Sequence, residues 1–198
     1  GEKNGDAITV RIREDGKDTI YVIDGGTKES GEAIVNHIKK YYQANHIDYV
    51  INTHPDNDHV SGLSVVVDKM SVGEIWMHTP WEYVDEIIDC VGDGRVTENS
   101  LKHRLEESLK QATNLQDLAM KKNISIHEPF QGEKIGHFLV LSPTETWYKK
   151  LLRNFKNMPL TESTESVSFA KKSLEAIHTV SEFWDTETLE NNPETSAE

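Results

Sequence analysis

The chain has 198 residues, of which 36% are hydrophobic and 28% charged, enough for one globular domain with an appendage. Its 34 Asp and Glu against 21 Lys and Arg leave a net charge of −13, which disfavours nucleic acid and anionic membrane surfaces as partners. The single cysteine, Cys90, excludes a disulfide framework, and the longest apolar runs, such as Val65-Val66-Val67, fall far short of the ~18–20 residues of a membrane helix. The polar opening Gly1-Glu2-Lys3-Asn4-Gly5 carries no signal-peptide pattern, so the expected class is a soluble, acidic, cytoplasmic domain.

Ala7 to Arg13 alternates apolar and polar residues, and Thr19 to Ile23 is β-rich; with Gly16 between them the pair reads as a hairpin. Asp24-Gly25-Gly26 is a strong turn signal, after which Thr27 or Ser30 caps a helix over Ala33 to Tyr42. Ile47 to Thr53 reads as a short buried strand, His54 to His59 as a polar loop and Val60 to Met70 as a helix. Gly73 to His78 predicts another strand, and Pro80 to Val91 a helix with proline in its first turn. Glu98 to Met120 is polar and helix-prone. Ser125 to His127, Glu133 to Ile135 and Phe138 to Leu141 suggest short strands, and Thr144 starts a helix through Phe155. This alternation of strands and helices predicts an α/β layered fold over residues 1–160. Residues 161–198 change character, with nine acids against two lysines; an amphipathic helix is expected over 166–184, followed by a solvated tail.

One cluster carries chemistry. His54, Asp56, Asp58 and His59 fall within six positions directly after a buried strand, where ligands gather in α/β folds. Imidazole nitrogen and carboxylate oxygen are donors for zinc, manganese or iron, and the alternate spacing 54, 56, 58 lets side chains of an extended segment converge. The plainer reading makes Asp58 a cap for the following helix. A calcium loop counted from Asp56 fails, because Ser61 and Val67 stand where glycine and glutamate are required.

His54-Pro55-Asp56-Asn57-Asp58-His59, followed by Ser61-Gly62-Leu63, resembles the H-x-H-x-D-H signature of the metallo-β-lactamase superfamily. It is the H-x-D-x-D-H variant, similar to the hydrolase domain of DNA-internalisation competence proteins. Tyr21-Val22-Ile23-Asp24-Gly25-Gly26 is similar to the family's "iDgG" turn, and the likeness extends over about residues 4–145. The resemblance implies an αββα layered fold. It implies His54 and Asp56 on one metal, Asp58 and His59 on another, Asp24 supporting the metal loop, and Asp58 orienting the nucleophile. A metal-bound hydroxide would attack a scissile ester, amide or phosphodiester centre, the resemblance pointing to phosphodiesters. Zinc is the first choice of ion; Asp56, in place of the usual imidazole, also makes manganese or magnesium plausible. His78, at the end of a strand on the same edge, is a candidate for the substrate cleft, against the plainer reading of a packed strand-end histidine.

Two departures accompany the likeness. Ser142 stands where the superfamily supplies another histidine, and nothing after Pro143 matches the later Gly-Asp strand. The chain therefore reads as the N-terminal half of such a hydrolase. Three functions follow: a metal-dependent hydrolase, a catalytically incomplete metal-binding half-domain acting through a partner or second chain, or a plain structural module. An apolar inner sheet face left open by a missing half predicts a homodimer.

Overall fold

The computed structural model describes residues 5–90 and 96–153, and the expected helix at 166–184 and its acidic tail lie outside them. Strands β1 (Ala7–Glu14) and β2 (Lys17–Gly25) form the expected antiparallel hairpin. The turn is made by Asp15 (φ 48°) and Gly16 (φ 77°), the left-handed pair that a two-residue hairpin loop requires. Helix α1 (Lys28–His37) follows, with Thr27 accepting from the Ser30 amide as its N-cap, and continues as a π-helical turn, Ile38–Tyr42. Then come β3 (His46–Ile51), α2 (Asn57–Lys69) and β4 (Ser71–Trp76).

The expected single helix after Pro80 is instead a 3-10 turn (Pro80–Tyr83), a four-residue α3 (Val84–Ile87) and a second 3-10 turn (Ile88–Cys90). The helix-prone stretch at 98–120 divides into α4 (Glu98–Ser108) and α5 (Lys110–Lys121). The break is at Leu109 (φ −109°, ψ 33°), next to Ser108, whose hydroxyl donates to the Leu105 carbonyl and competes for a helical acceptor. Strand β5 (Ser125–His127), the small hairpin β6 (Lys134–Ile135) and β7 (Phe138–Leu139), and α6 (Glu145–Leu152) complete the described chain. Thr144 caps α6 through the Trp147 amide.

The main sheet has the order β1-β2-β3-β4-β5, antiparallel at β1–β2 and parallel beyond. Each parallel step moves one strand in the same direction, so right-handed crossovers put the connecting helices on one face. α1, α2 and α5 pack side by side accordingly. Val22, Val50 and Ile75 lie in one register row, fully buried, as are Leu63, Val66 and Val67 of α2 and Leu115 and Ala119 of α5. Burial of each large apolar side chain stabilises the core by about 1.5–3 kcal/mol.

The opposite face presents Val10, Tyr21, Ile23, Tyr49, Ile51 and Trp76. It is not left fully open, because the β6–β7 hairpin lies over it. Phe138 meets the Tyr21 ring edge-on at 4.7 Å, and the Tyr21 hydroxyl bonds both the amide and Nδ1 of His137. Tyr21, stacked on Tyr49, is fully buried as a result. Among the described residues no helix is long and apolar enough to cross a membrane.

Candidate metal centre

The carboxyl ends of β2 and β3 meet the start of α2, and three glycines set how closely. A Cβ on Gly62 would stand 1.9 Å from the Gly25 carbonyl oxygen, one on Gly25 2.2 Å from the Leu63 nitrogen, and one on Gly31 2.4 Å from the Gly62 oxygen. The Gly62 amide donates to Gly26 O at 3.0 Å. The Asp24-Gly25-Gly26 turn thus lies backbone to backbone against α2. Asp24 itself has φ 54°, a left-handed conformation that aspartate tolerates better than most residues.

That geometry buries Asp24, at 2% exposure, beneath the loop after β3. A buried carboxylate is costly without hydrogen-bond donors, and three are supplied. Oδ1 accepts from the Thr53 amide at 2.8 Å; Oδ2 accepts from the Thr53 hydroxyl at 2.5 Å and from His59 Nδ1 at 3.0 Å. An imidazole that donates through Nδ1 leaves Nε2 as a free lone pair, the usual arrangement of a metal-binding histidine. His59 is buried, and the His54 ring lies 3.8 Å away between centroids, tilted by 50°. His54 Nδ1 is 2.9 Å from the Thr53 hydroxyl. Ligand atoms of Asp24, His54 and His59 all lie within 4.8 Å of one another.

The two remaining carboxylates sit at the rim. Asp56 is the N-cap residue of α2 through its backbone, its carbonyl accepting from His59 N and Val60 N, with no capping bond from its side chain. Its Oδ2 lies 3.9 Å from His54 Nε2. Asp58 occupies the first turn of α2, so the cap role considered for it belongs to Asp56. It lines a surface cavity of about 400 Å3 with Thr27, Lys28, Glu29, Asn57 and Ser61. The structure therefore brings Asp24, His54 and His59 together, sets Asp56 beside them, and places Asp58 on the same helix start facing that cavity.

His78 follows β4, with a side chain 12% exposed, stacked on Tyr148 at 4.2 Å and near Phe130 at 5.0 Å. Its Nδ1 is 3.7 Å from Glu128 Oε1, an ion-pair distance too long for a hydrogen bond. Glu128 accepts from the Thr79 amide and hydroxyl and from the Tyr83 hydroxyl. Burial acts to raise the Glu128 pKa, but His78, Tyr83 and the Thr79 amide outweigh it and hold the carboxyl below its ordinary value. Burial first pushes both the Tyr148 and Tyr83 hydroxyls well up, followed by the Glu128 charge at Tyr148 and by the hydrogen bond to Glu128 at Tyr83.

Thr53 is the residue that sequence reasoning passed over. A threonine closing a β-strand looks like ordinary β propensity; the available signal was its place between a buried strand and the first histidine.

A family model of the metallo-beta-lactamase superfamily matches residues 4–104. The chain belongs to the metallo-beta-lactamase superfamily. The matched segment contains β1 to β4, the glycine-packed turn and the whole loop from Thr53 to His59. Superfamily members bind divalent metals, and a buried carboxylate that fixes an imidazole by Nδ1 beside a second imidazole is a donor set suited to such an ion. No curated protein matches the chain.

Proposed function

We propose that this superfamily domain is a metal-dependent hydrolase acting on phosphodiester bonds, with His54, Asp56, Asp58 and His59 as ligands and Asp24 as the group that supports the metal loop and orients His59. The observation that carries this reading is the buried Asp24 carboxylate holding His59 by Nδ1, with His54 alongside. A divalent ion bound there would supply Lewis acidity and lower the pKa of water towards ~7. The chain's own residues do the rest. His54 and His59 present lone pairs, and Asp24 keeps its imidazole from turning. Asp58, on the first turn of α2, lies where the positive end of the helix dipole favours a carboxylate. There it orients the attacking water and accepts its proton. Zinc suits two imidazoles best, while the carboxylate of Asp56 widens the choice to manganese or magnesium. The net charge of −13 directs the proposal to small phosphodiesters rather than nucleic acid.

The test is turnover of bis(p-nitrophenyl) phosphate by protein purified without chelator, with metal content measured in parallel. Hydrolysis should vanish on chelation, return with zinc or manganese, and be lost in His59→Ala. Hydrolysis that survives both treatments would overturn the proposal. A second reading, a metal-binding half-domain without turnover, is favoured by Ser142, an exposed hydroxyl where the family resemblance calls for an imidazole. Stoichiometric metal with no hydrolysis of any diester would select it.

A further inference from the structure

The Thr53 hydroxyl has one hydrogen and two neighbours that could take it. Asp24 Oδ2 is 2.5 Å away and His54 Nδ1 is 2.9 Å away. A carboxylate offers only lone pairs, whereas a neutral imidazole nitrogen can either donate or accept. The hydrogen is therefore committed to Asp24, and the hydroxyl oxygen is left as an acceptor facing His54. That forces the proton of His54 onto Nδ1 and bares Nε2, the nitrogen near Asp56 Oδ2. His59 donates its own Nδ1 proton directly to the same carboxylate oxygen. One buried carboxylate thus sets the tautomer of both histidines, the first through a hydroxyl and the second by contact.

We propose that Thr53 is a positioning residue that relays the Asp24 carboxylate to His54, holding that imidazole with its metal-binding nitrogen unprotonated. The assignment rests on the metal-centre reading given above, and it concerns the chain's state before any ion arrives. Thr53→Val keeps shape and the backbone amide bond to Asp24 but deletes the hydroxyl, so His54 loses its acceptor while His59 keeps its own. Thr53→Ser restores the hydroxyl without the methyl. Because Thr53 is exposed in the loop after β3, neither change threatens the core.

Long-range 1H–15N NMR of the metal-free protein reads each tautomer. The wild type should show both His54 and His59 protonated at Nδ1. In Thr53→Val, His54 should shift towards the Nε2-protonated form while His59 stays unchanged, an internal control for folding. Competition against a chromophoric chelator should show zinc bound about 10- to 100-fold more weakly, the range found for outer partners of metal ligands, with Thr53→Ser close to wild type. An unchanged His54 tautomer in Thr53→Val, or an affinity loss that Thr53→Ser does not rescue, overturns the relay. If the wild type binds no zinc yet its His54 tautomer depends on Thr53, the relay stands and the metal reading falls.

Discussion

Gly62→Ala is the most informative single change, because two opposite outcomes are physically available. On a free helix surface the substitution would stabilise by about 1 kcal/mol, since alanine loses less backbone freedom than glycine. Gly62 is not free. Its added methyl would stand 1.9 Å from Gly25 O and 2.6 Å from both Gly25 C and Thr27 O. Ordinary contact begins near 3.4 Å, so α2 and the turn must separate by roughly 1.5 Å, and every obstructing atom is backbone. Overpacking of that kind costs about 1–3 kcal/mol, and stretching the Gly62 N–Gly26 O bond removes about 1 more. Set against the helix gain, the net is about 2 kcal/mol of destabilisation. With a urea m-value of about 2 kcal/mol/M, the midpoint should fall by about 1 M. The same displacement carries His59 away from Asp24, so zinc affinity should drop with stability. A midpoint that rises, or a stability loss with undiminished affinity, would refute the claim that this glycine contact sets the centre's geometry.

Glu128→Gln removes a carboxyl whose folded pKa is depressed, burial opposing and His78, Tyr83 and Thr79 prevailing. A depressed carboxyl contributes stability above its unfolded pKa and loses it as pH falls through the folded value. The variant should be less stable by about 1 kcal/mol at neutral pH, with the gap closing on acidification; urea melts at both pH values check this, and a gap that widens in acid would contradict it. Tyr21→Phe deletes the hydroxyl that bonds the amide and Nδ1 of His137, at 2.9 and 2.8 Å. It should cost about 1–2 kcal/mol, with hydrogen exchange quickening at residues 134–139 and unchanged exchange there counting against the hairpin's anchoring role.

The centre's outline is legible in the chain because its polar residues interrupt apolar strands. His54 to His59 is a polar block after a buried run, and Asp24-Gly25-Gly26 ends another. What escapes is any role that depends on who faces whom. Thr53 has β propensity like many strand residues, and only the folded loop shows its hydroxyl between Asp24 and His54. The break at Leu109 is hidden for a related reason. Leu101, Leu105, Leu109, Ala112 and Leu115 are all buried, and their spacing runs through the interruption as though one helix continued. The hold of His137 on Tyr21 spans 116 positions and follows no local pattern.

Asp24, Thr53, His54, His59 and the three packing glycines all fall between positions 24 and 62, in the stretch from the end of β2 to α2. The centre is thus assembled within one contiguous stretch of the chain, where the Asp24 contacts to Thr53 and His59 span 29 and 35 positions against 116 for the Tyr21–His137 contact. In folding terms it is a local module that β5, the β6–β7 hairpin and α6 join through far longer loops. Opening of those later elements is separable from opening of the metal loop, so lesions around Glu128 or His137 lower global stability while the ligand geometry survives until its own module unfolds.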